Sequence, residues 1–491
     1  MDERDPQPRS VEGPSGLRDK PLQDGVIRGP QATSDELHLT RRTTVAYAFG
    51  SVGTGVFATV PGLVLAYYLT NTLGVAAGLA ALVVAVPKAW DVLVLPVVGR
   101  FSDRSAAVVG SRLPYLRIAG ILLPATFVLM FAVPPALGPV LAGTWVLLAF
   151  ILASTAFALF QVPYIALSAE ITDSPAERST LMAWRVAFLT VAILLGGALA
   201  PVVRDALGGA YLGHLVMALF MAALMATGIW LCIWGLARAR SRANPAAEGT
   251  ILEQVREVRH ERAFVALLAA FVIQALGFAA MLGAAQYYAT YIVQRPTSIT
   301  ILFVCLVAPA IIVMPAWTWV AHRFGKTPGF LASSLVFLVG AGILVVGGRS
   351  LSFGPVAAAI AVCGIAYGGC QMFPLAMLPD AVEAARARTG EARAGVFTGV
   401  WTAGETLGFA LGPGLVLVVL ALSGFVSSRA DEQVTQPESA VTGVLMAFTA
   451  LPAVLVALSL PFILRYGRAS AAAARQAPRA TPTRTPGGTP T

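Results

Sequence analysis

The chain has 491 residues, of which 57% are hydrophobic and 12% are charged, and its formal net charge is +9. Soluble domains carry about 25% charged residues, so this composition excludes an ordinary soluble protein and indicates an integral membrane protein. A positive net charge raises the question of nucleic-acid binding, which the placement of the basic residues answers below.

The chain begins with a polar leader, residues 1–42, which is rich in Pro, Gly, Asp and Arg and is predicted to be disordered. No apolar core follows a basic start there, so no cleavable signal peptide is predicted. Six apolar segments long enough to span a bilayer come next. They occupy residues 43–71, 74–100, 114–136, 140–171, 180–203 and 211–236.

A charged central loop, residues 237–262, separates this first half, 43–236, from a second half, 263–465. The second half contains six further apolar segments, at 263–293, 297–321, 328–348, 353–381, 395–424 and 440–464. The tail, 466–491, is rich in Ala, Pro, Thr and Arg and is predicted to be disordered. The predicted fold is therefore all-α, with twelve transmembrane helices in two six-helix bundles.

Basic residues concentrate on one side of this topology. They cluster in the leader, the central loop, the tail and alternate short loops, whereas Arg204, Arg295, Arg349 and Arg429 occupy the other loops and Lys88 lies inside a span. The positive-inside rule then predicts a multi-pass protein of the plasma membrane with both termini cytoplasmic. The basic excess is a topology signal and does not indicate nucleic-acid binding.

The second span carries a charged pair, Lys88 and Asp91, three residues apart and therefore on one helical face. If Arg100 marks the inner membrane surface, helical rise of about 1.5 Å per residue places Asp91 about 14 Å above it, near the bilayer centre. Ionisable groups at that depth are candidates for function. We interpret Asp91 as a proton-exchanging group whose pKa is set by Lys88 and Arg185, the alternative being a structural ion pair.

Charged turns between helices predict an ion-pair network on the cytoplasmic face, which can also act as a gate. One turn, Gly-x-x-x-Asp-Arg from residue 99, resembles the loop between the second and third helices of the major facilitator superfamily. Matching Gln-Pro-acid patterns begin at Gln161 and Gln371 and indicate an internal repeat. The predicted gate comprises Gly99, Asp103, Arg104, Arg112, Glu170, Glu177, Arg178, Asp380 and Arg393.

The same depth argument predicts a layer of polar groups near the membrane midplane. Thr54, Gln161, Gln371 and Glu405 each lie twelve residues from a charged helix end, or about 18 Å at helical rise. Alternating-access carriers bind solute and ion at this level. With Trp401, one turn from Glu405, these residues are the predicted solute-binding set; helix-to-helix hydrogen bonding is the alternative for the two glutamines.

Several motifs together resemble the glycoside-pentoside-hexuronide cation symporters, the group of the major facilitator superfamily that contains melibiose permease. The resemblance covers about residues 43–465. The residues that carry it are Tyr47, Gly50, Gly53, Trp90, Asp91, Pro96, Gly99, Pro114, Tyr115, Pro163, Ala166, Leu167, Glu170, Glu177, Arg178, Arg185, Pro374, Met377, Leu378, Asp380, Gly395, Val400, Trp401, Thr402 and Gly408. It implies a cation-coupled secondary transporter.

Departures from that family pattern bear on the ion and the solute. Sodium-using members carry a second acid four residues after the first, where this chain has Leu95, so a proton is expected as the coupling ion in preference to sodium. The charged residues of the sugar carriers are replaced by Gly55, Gln161 and Thr406. A galactoside substrate therefore does not follow from the resemblance.

These features predict a proton-coupled symporter of a small polar solute, of the sugar or glycoside class, acting as a monomer in the lipid bilayer. The alternatives are an exporter of a hydrophobic metabolite or lysolipid, and a membrane receptor that does not transport. An enzyme is not expected, because the sequence has no nucleophile-base pattern or phosphate-binding loop. No cofactor or metal site is predicted, since all four cysteines lie in apolar runs.

Overall fold

The computed structural model describes residues 39–172, 174–237, 256, 258–389, 394–430, 432 and 434–476. In these ranges, eleven helices are long and apolar enough to cross a membrane, or twelve if one bent pair is a single span. The all-α fold predicted from the sequence is confirmed. The leader up to residue 38, most of the central loop, and the tail beyond 476 lie outside the described residues.

The first half consists of six helices. They are α1 (Arg41–Asn71), α2 (Ala77–Val109), α3 (Leu113–Phe131), α4 (Pro139–Glu170), α5 (Pro175–Asp205) and α6 (Tyr211–Leu236). The beginning of α1 is fixed by Thr40, whose side chain accepts a hydrogen bond from the Thr43 amide. The end of α2 is fixed by Gly110, whose φ of 71° turns the chain towards α3.

The second half consists of α7 (Arg262–Ile292), α8 (Pro296–Ile312 followed by Met314–Phe324), α9 (Lys326–Gly347), α10 (Phe353–Thr389), α11 (Ala394–Leu422) and α12 (Glu438–Phe448 followed by Ala450–Gln476). Helix α8 bends by 46° between its two segments, where Pro309 and Pro315 flank the break. Helix α12 extends past the predicted boundary at residue 465 because its last turns are rich in alanine.

Close helix contacts within each half depend on glycine. A Cβ atom at Gly50 of α1 would lie 2.5 Å from a ring carbon of Tyr164 of α4, so only glycine permits this approach. Gly99 of α2 is different, because a Cβ atom there would meet only Val162, at an ordinary 3.8 Å. Gly99, the first residue of the charged turn, therefore makes no close helix contact that requires glycine.

Successive spans run in opposite directions, so α1 begins and α12 ends on one side, here called the terminal side. The other side is here called the opposite side, and there the two halves contact each other directly. The Thr70 hydroxyl lies 2.7 Å from the Tyr287 hydroxyl, and Asn71 donates to Tyr291. A Cβ atom at Gly197 of α5 would lie 2.1 Å from the Phe303 ring of α8, so these two helices also meet closely.

The loop after α11 also binds the first half on the opposite side. The Ser428 amide donates to the Thr70 carbonyl oxygen at 2.9 Å, and the Ala430 amide donates to that of Thr72 at 3.2 Å. These bonds form a short antiparallel bridge between the halves.

The side chain of Arg429 extends the same contact. Its guanidinium donates to the carbonyl oxygens of Pro135 at 2.8 Å and Leu137 at 3.0 Å, both in the turn between α3 and α4. We call residues 428–430, with these backbone partners, the clasp.

Candidate functional site

The charged pair predicted on α2 forms in the structure. Lys88 Nζ lies 3.5 Å from Asp91 Oδ2, and Asp91 is 6% exposed. The Lys88 ammonium also lies 5.9 Å from the ring centre of Phe57 and 5.2 Å from that of Phe150. The lysine is therefore held by a carboxylate and two aromatic faces, which compensate its charge in an apolar region.

Helix α4 lies beside this pair. Ser154 is 1% exposed and lies near the Asp91 carboxyl group, but its hydroxyl forms no hydrogen bond in the described ranges. One turn further along α2, Leu95 packs against a small apolar cluster of Val94, Val98 and Ala158. The position at which sodium-using relatives carry a second acid is thus an apolar contact in this chain.

Arg185 of α5 lies elsewhere. Its guanidinium carbon is 5.7 Å from the ring centre of Tyr164, and no ion pair or hydrogen bond joins it to Asp91 in the described part of the chain. Tyr164 is fixed by donating to the Tyr47 carbonyl oxygen at 2.8 Å, while its hydroxyl lies 3.0 Å from Ser51 Oγ. The predicted grouping of Arg185 with Asp91 is not found in the described ranges, because Arg185 packs on Tyr164 of α4 instead.

Glu405 of α11 is the charged group that Arg185 does influence. The two side chains interact electrostatically, although they come from different halves. Among the described residues, Glu405 forms no ion pair or hydrogen bond, and its neighbours include Tyr367 of α10. Glu405 therefore lies within electrostatic reach of the first half.

The two glutamines of the internal repeat have different surroundings. Gln371 Nε2 donates to the Tyr367 hydroxyl at 2.9 Å. Tyr367 interacts electrostatically with Glu405, so Gln371 also lies near Glu405. Gln161 Oε1 is buried and lacks a hydrogen-bond partner within the described ranges. A buried carbonyl oxygen without a donor is costly, so Gln161 has capacity to bind a ligand or water.

Two predicted solute-binding residues are packed inside their own halves. Thr54 is 4% exposed, and its hydroxyl donates to the Ser51 carbonyl oxygen at 3.0 Å. Trp401 is 2% exposed and stacks on Phe271 with ring centres 4.8 Å apart. Both side chains therefore pack within their own halves, although Trp401 Nε1 has no hydrogen-bond partner in the described ranges, and their role in solute binding stays a prediction.

Arg112 is the centre of the charged network at the terminal side of the first half. It pairs with Glu170 at 2.8 Å and with Asp103 at 2.7 Å, and its guanidinium also donates to Ser102 at 2.8 Å. Arg112 and Glu170 are each 3% exposed. This network joins the ends of α2, α3 and α4, all within one half, so a gate role remains a prediction. Arg104 is exposed.

The predicted gate residues Glu177, Arg178 and Asp380 also form hydrogen bonds or ion pairs near helix ends. Glu177 accepts from the Leu39 amide at 3.0 Å and the Thr172 hydroxyl at 2.6 Å, and Arg178 donates to the Thr172 carbonyl oxygen at 3.3 Å. In the second half, Asp380 pairs with Lys326 at 2.6 Å, a partner that the sequence analysis did not single out. Arg393 lies outside the described residues.

A further polar contact between the halves was also missed. Arg204 of α5 is 3% exposed, pairs with Asp205 at 2.7 Å and donates to Gln286 Oε1 of α7 at 3.1 Å. Arg204, in the last turn of α5, and Arg429 both lie on the side where the positive-inside rule predicts few basic residues. This unusual position was a signal in the sequence that both arginines bind other parts of the chain. In the described ranges, no group of three His, Cys, Asp or Glu side chains is placed to hold a metal.

Comparison with known proteins assigns the family. Residues 46–467 match the family described as MFS/sugar transport protein, which covers most of the chain. This chain belongs to the MFS/sugar transport protein family. Members are membrane transporters, so the chain is a multi-pass secondary transporter and not an enzyme.

Individual relatives of this MFS chain are distant. An uncharacterised symporter of Synechocystis is 22% identical over 86% of this chain and 92% of its own length. The sodium-dependent lysophosphatidylcholine symporter 1 of Mus musculus is 23% identical, covering 69% of each chain. The crystal structure of the nucleoside transporter NupG superposes with a TM-score of 0.60 at 13% identity, covering 87% of this chain and 98% of that one. That structural likeness supports the fold alone.

Proposed function

We propose that this MFS protein is a proton-coupled symporter that moves a small polar solute by alternating access of its two halves, with Asp91 carrying the proton. The observation that carries the proposal is the pair of half-buried Lys88 and buried Asp91 inside a membrane span. Ionisable groups in such segments are rare and are associated with ion and proton pathways.

Protonation of Asp91 changes the energy of this pair. Unit charges 3.5 Å apart attract each other by about 5 kcal/mol at an effective dielectric constant of about 20. A proton on Asp91 removes this attraction and leaves the Lys88 ammonium compensated only by the Phe57 and Phe150 rings. We propose that the two protonation states favour different positions of α2 relative to the helices that carry these two rings, which is the property that ion coupling requires.

A proton fits this site better than sodium. Sodium requires several oxygen ligands, and Leu95 supplies an apolar contact where relatives place a second carboxylate. The Lys88 ammonium already provides a cation beside Asp91. We therefore propose a proton as the coupling ion, although one relative is named as sodium-dependent.

The solute site is proposed to lie between the halves, where Gln161, Gln371, Arg185 and Glu405 provide polar groups. Binding of the melibiose type is not supported, because a Cβ atom at Gly55 would lie 2.7 Å from the Ala192 Cβ and no acidic side chain fits there. Sugars and glycosides with other recognition patterns remain within the proposed class of small polar solutes.

Export of a lysolipid or hydrophobic metabolite is the second candidate. Its support is the similarity to a symporter named for lysophosphatidylcholine and to the sphingosine-1-phosphate transporter MFSD2B of Mus musculus. The basic loops support placement in a plasma membrane with both termini cytoplasmic.

Purified protein in proteoliposomes tests the proposal. Radiolabelled sugars, glycosides and lysolipids are screened for flux under an imposed pH gradient, with N-methylglucamine in place of sodium. We expect concentrative uptake driven by the proton gradient. Asp91→Asn should abolish it and leave solute exchange, while Glu383→Gln, at an exposed acid of α10, should retain it.

Three outcomes contradict parts of the proposal. Unchanged proton-driven uptake in Asp91→Asn removes this carboxyl group from coupling. Flux that needs sodium overturns the choice of ion. Specific solute binding without flux in either direction favours a non-transporting receptor.

A further inference from the structure

Two charged groups inside membrane spans face each other from different halves without forming an ion pair. Arg185 lies on α5 and Glu405 on α11, and their charges interact. No nitrogen-oxygen contact between them is within about 4 Å, the limit of an ion pair. Lys88 and Asp91, by contrast, are paired at 3.5 Å within one helix. The two opposite charges are therefore close to each other without being in direct contact.

The surroundings of Arg185 suit an anionic ligand. Its guanidinium lies over the Tyr164 ring, and that ring is fixed by hydrogen bonds to α1. Its Nε atom is buried and has no hydrogen-bond partner within the described ranges. A guanidinium stacked on an aromatic face keeps its in-plane donors for a carboxylate, sulfonate or phosphate group.

The surroundings of Glu405 suit a cationic ligand. An ionised carboxylate is an acceptor only, and no donor of the described residues binds this one. Gln371 and the Tyr367 hydroxyl lie nearby and are hydrogen-bonded to each other, so they can complete the polar wall of the site. An ammonium group is the complementary partner for Glu405.

We propose that the transported solute is a zwitterion, whose anionic group binds Arg185 and whose cationic group binds Glu405. The inference rests on the transport function proposed above and specifies its substrate class. The two protein charges attract each other without direct contact, so a neutral solute would leave both without a charged partner in contact, and a singly charged solute would leave one. A zwitterion satisfies both and connects the two halves, so its binding favours the state in which they approach each other.

Binding measurements on the purified full chain in nanodiscs test this assignment independently of flux. The probes are taurine, γ-aminobutyrate, phosphocholine and lysophosphatidylcholine, which place their opposite charges at different separations and with or without a lipid tail. Each is compared with matched compounds that lack one charge, such as isethionate and ethanolamine for taurine. Ligand-induced thermal stabilisation gives the affinity.

We expect at least one zwitterion to bind about tenfold or more tightly than each of its matched partners, the range for a lost hydrogen bond to a charged group. In Glu405→Gln, the zwitterion and its matched anion should bind with similar affinity. In Arg185→Gln, the zwitterion and its matched cation should do so. Glu383→Gln is the control and should keep the full preference. Glu405→Asp and Arg185→Lys, which retain charge, guard against loss of folding in the neutral variants.

The assignment is overturned if no zwitterion binds more tightly than its matched partners, or if Glu405→Gln keeps the full preference. A different result would refute the proposed transport function. Zwitterion binding with the expected variant pattern but no flux in proteoliposomes would refute the carrier and leave the ligand class intact. Flux of an uncharged sugar at an unchanged rate in Glu405→Gln would refute the ligand class and leave the carrier intact.

Discussion

Arg429 is expected to control how readily the two halves separate on the opposite side. Its guanidinium donates two hydrogen bonds to backbone carbonyl oxygens of the α3–α4 turn, at 2.8 and 3.0 Å. A hydrogen bond to a charged group contributes about 1.5–3 kcal/mol when buried, and Arg429 is only half-buried. We therefore assign about 1–2 kcal/mol to the two bonds together, which corresponds to a factor of about 5–30 in an equilibrium.

Arg429→Ala should raise the population that is open on the opposite side by that factor. Spin labels at Leu207→Cys in the first half and Ser350→Cys in the second half report the distance across this side, since both positions are exposed. Three native cysteines are buried, and Cys305, which is half-buried, is replaced by alanine to remove background labelling.

Arg349→Ala is the matched control. Arg349 lies on the same side of the protein but pairs with Glu438, so both partners belong to the second half. Removal of the Arg349 side chain should leave the distribution of distances between the two spin labels unchanged. The reasoning is refuted if Arg429→Ala leaves the distribution unchanged, or if both variants shift it equally.

Three further predictions concern the charged pairs and the contact between the halves. Lys88→Met should make thermal stability depend on sodium, because it removes the internal cation; stability equal in sodium and N-methylglucamine would refute this. Arg112→Leu should lower the free energy of unfolding by about 3–5 kcal/mol, since its glutamate partner is buried. Lys326→Leu, which breaks an exposed pair, should lower the free energy of unfolding by less than about 1 kcal/mol. Equal losses for the two variants in denaturant titrations would contradict this distinction. Gly197→Leu should lengthen the distance between the same spin labels, because no Cβ atom fits there; an unchanged distance would show that the backbone can adjust.

The spans themselves were predictable because hydropathy is a local property that the bilayer imposes on each segment. Two features of their ends were not. The bend of α8 depends on where Pro309 and Pro315 interrupt one continuous apolar run, and that run looks unbroken in a hydropathy scan. The extension of α12 to Gln476 depends on helix propensity in a segment that is too polar to count as membrane.

Within the site, residues close together in the sequence could be grouped correctly, and residues far apart could not. Lys88 and Asp91 could be paired because helical geometry alone brings residues three apart together. Arg185 and Glu405 are 220 positions apart, and only the packing of the two halves brings them near each other. Their relation has no local signature, so Arg185 was grouped with Asp91.

Depth in the membrane could be calculated, but the direction of a side chain around its helix could not. Thr54 and Trp401 both lie within membrane-spanning helices, yet both side chains are buried in helix packing. A helix that is apolar on every face gives no periodic pattern from which to infer the side that faces a cavity. This limit does not apply to a charged residue such as Glu405, because the cost of exposing it to lipid restricts its direction.

Helix α4 connects the two sites on which the proposed mechanism depends. Its Phe150 and Ser154 lie against Lys88 and Asp91, while its Tyr164 lies beneath Arg185. Ten residues of helix, or about 15 Å, separate Ser154 from Tyr164. A change of charge at Asp91 therefore acts on the same helix that positions Arg185, the proposed anion-binding residue. Because the proton pair lies wholly within the first half and the solute pair spans both halves, movement of α4 is the direct physical route by which one can influence the other.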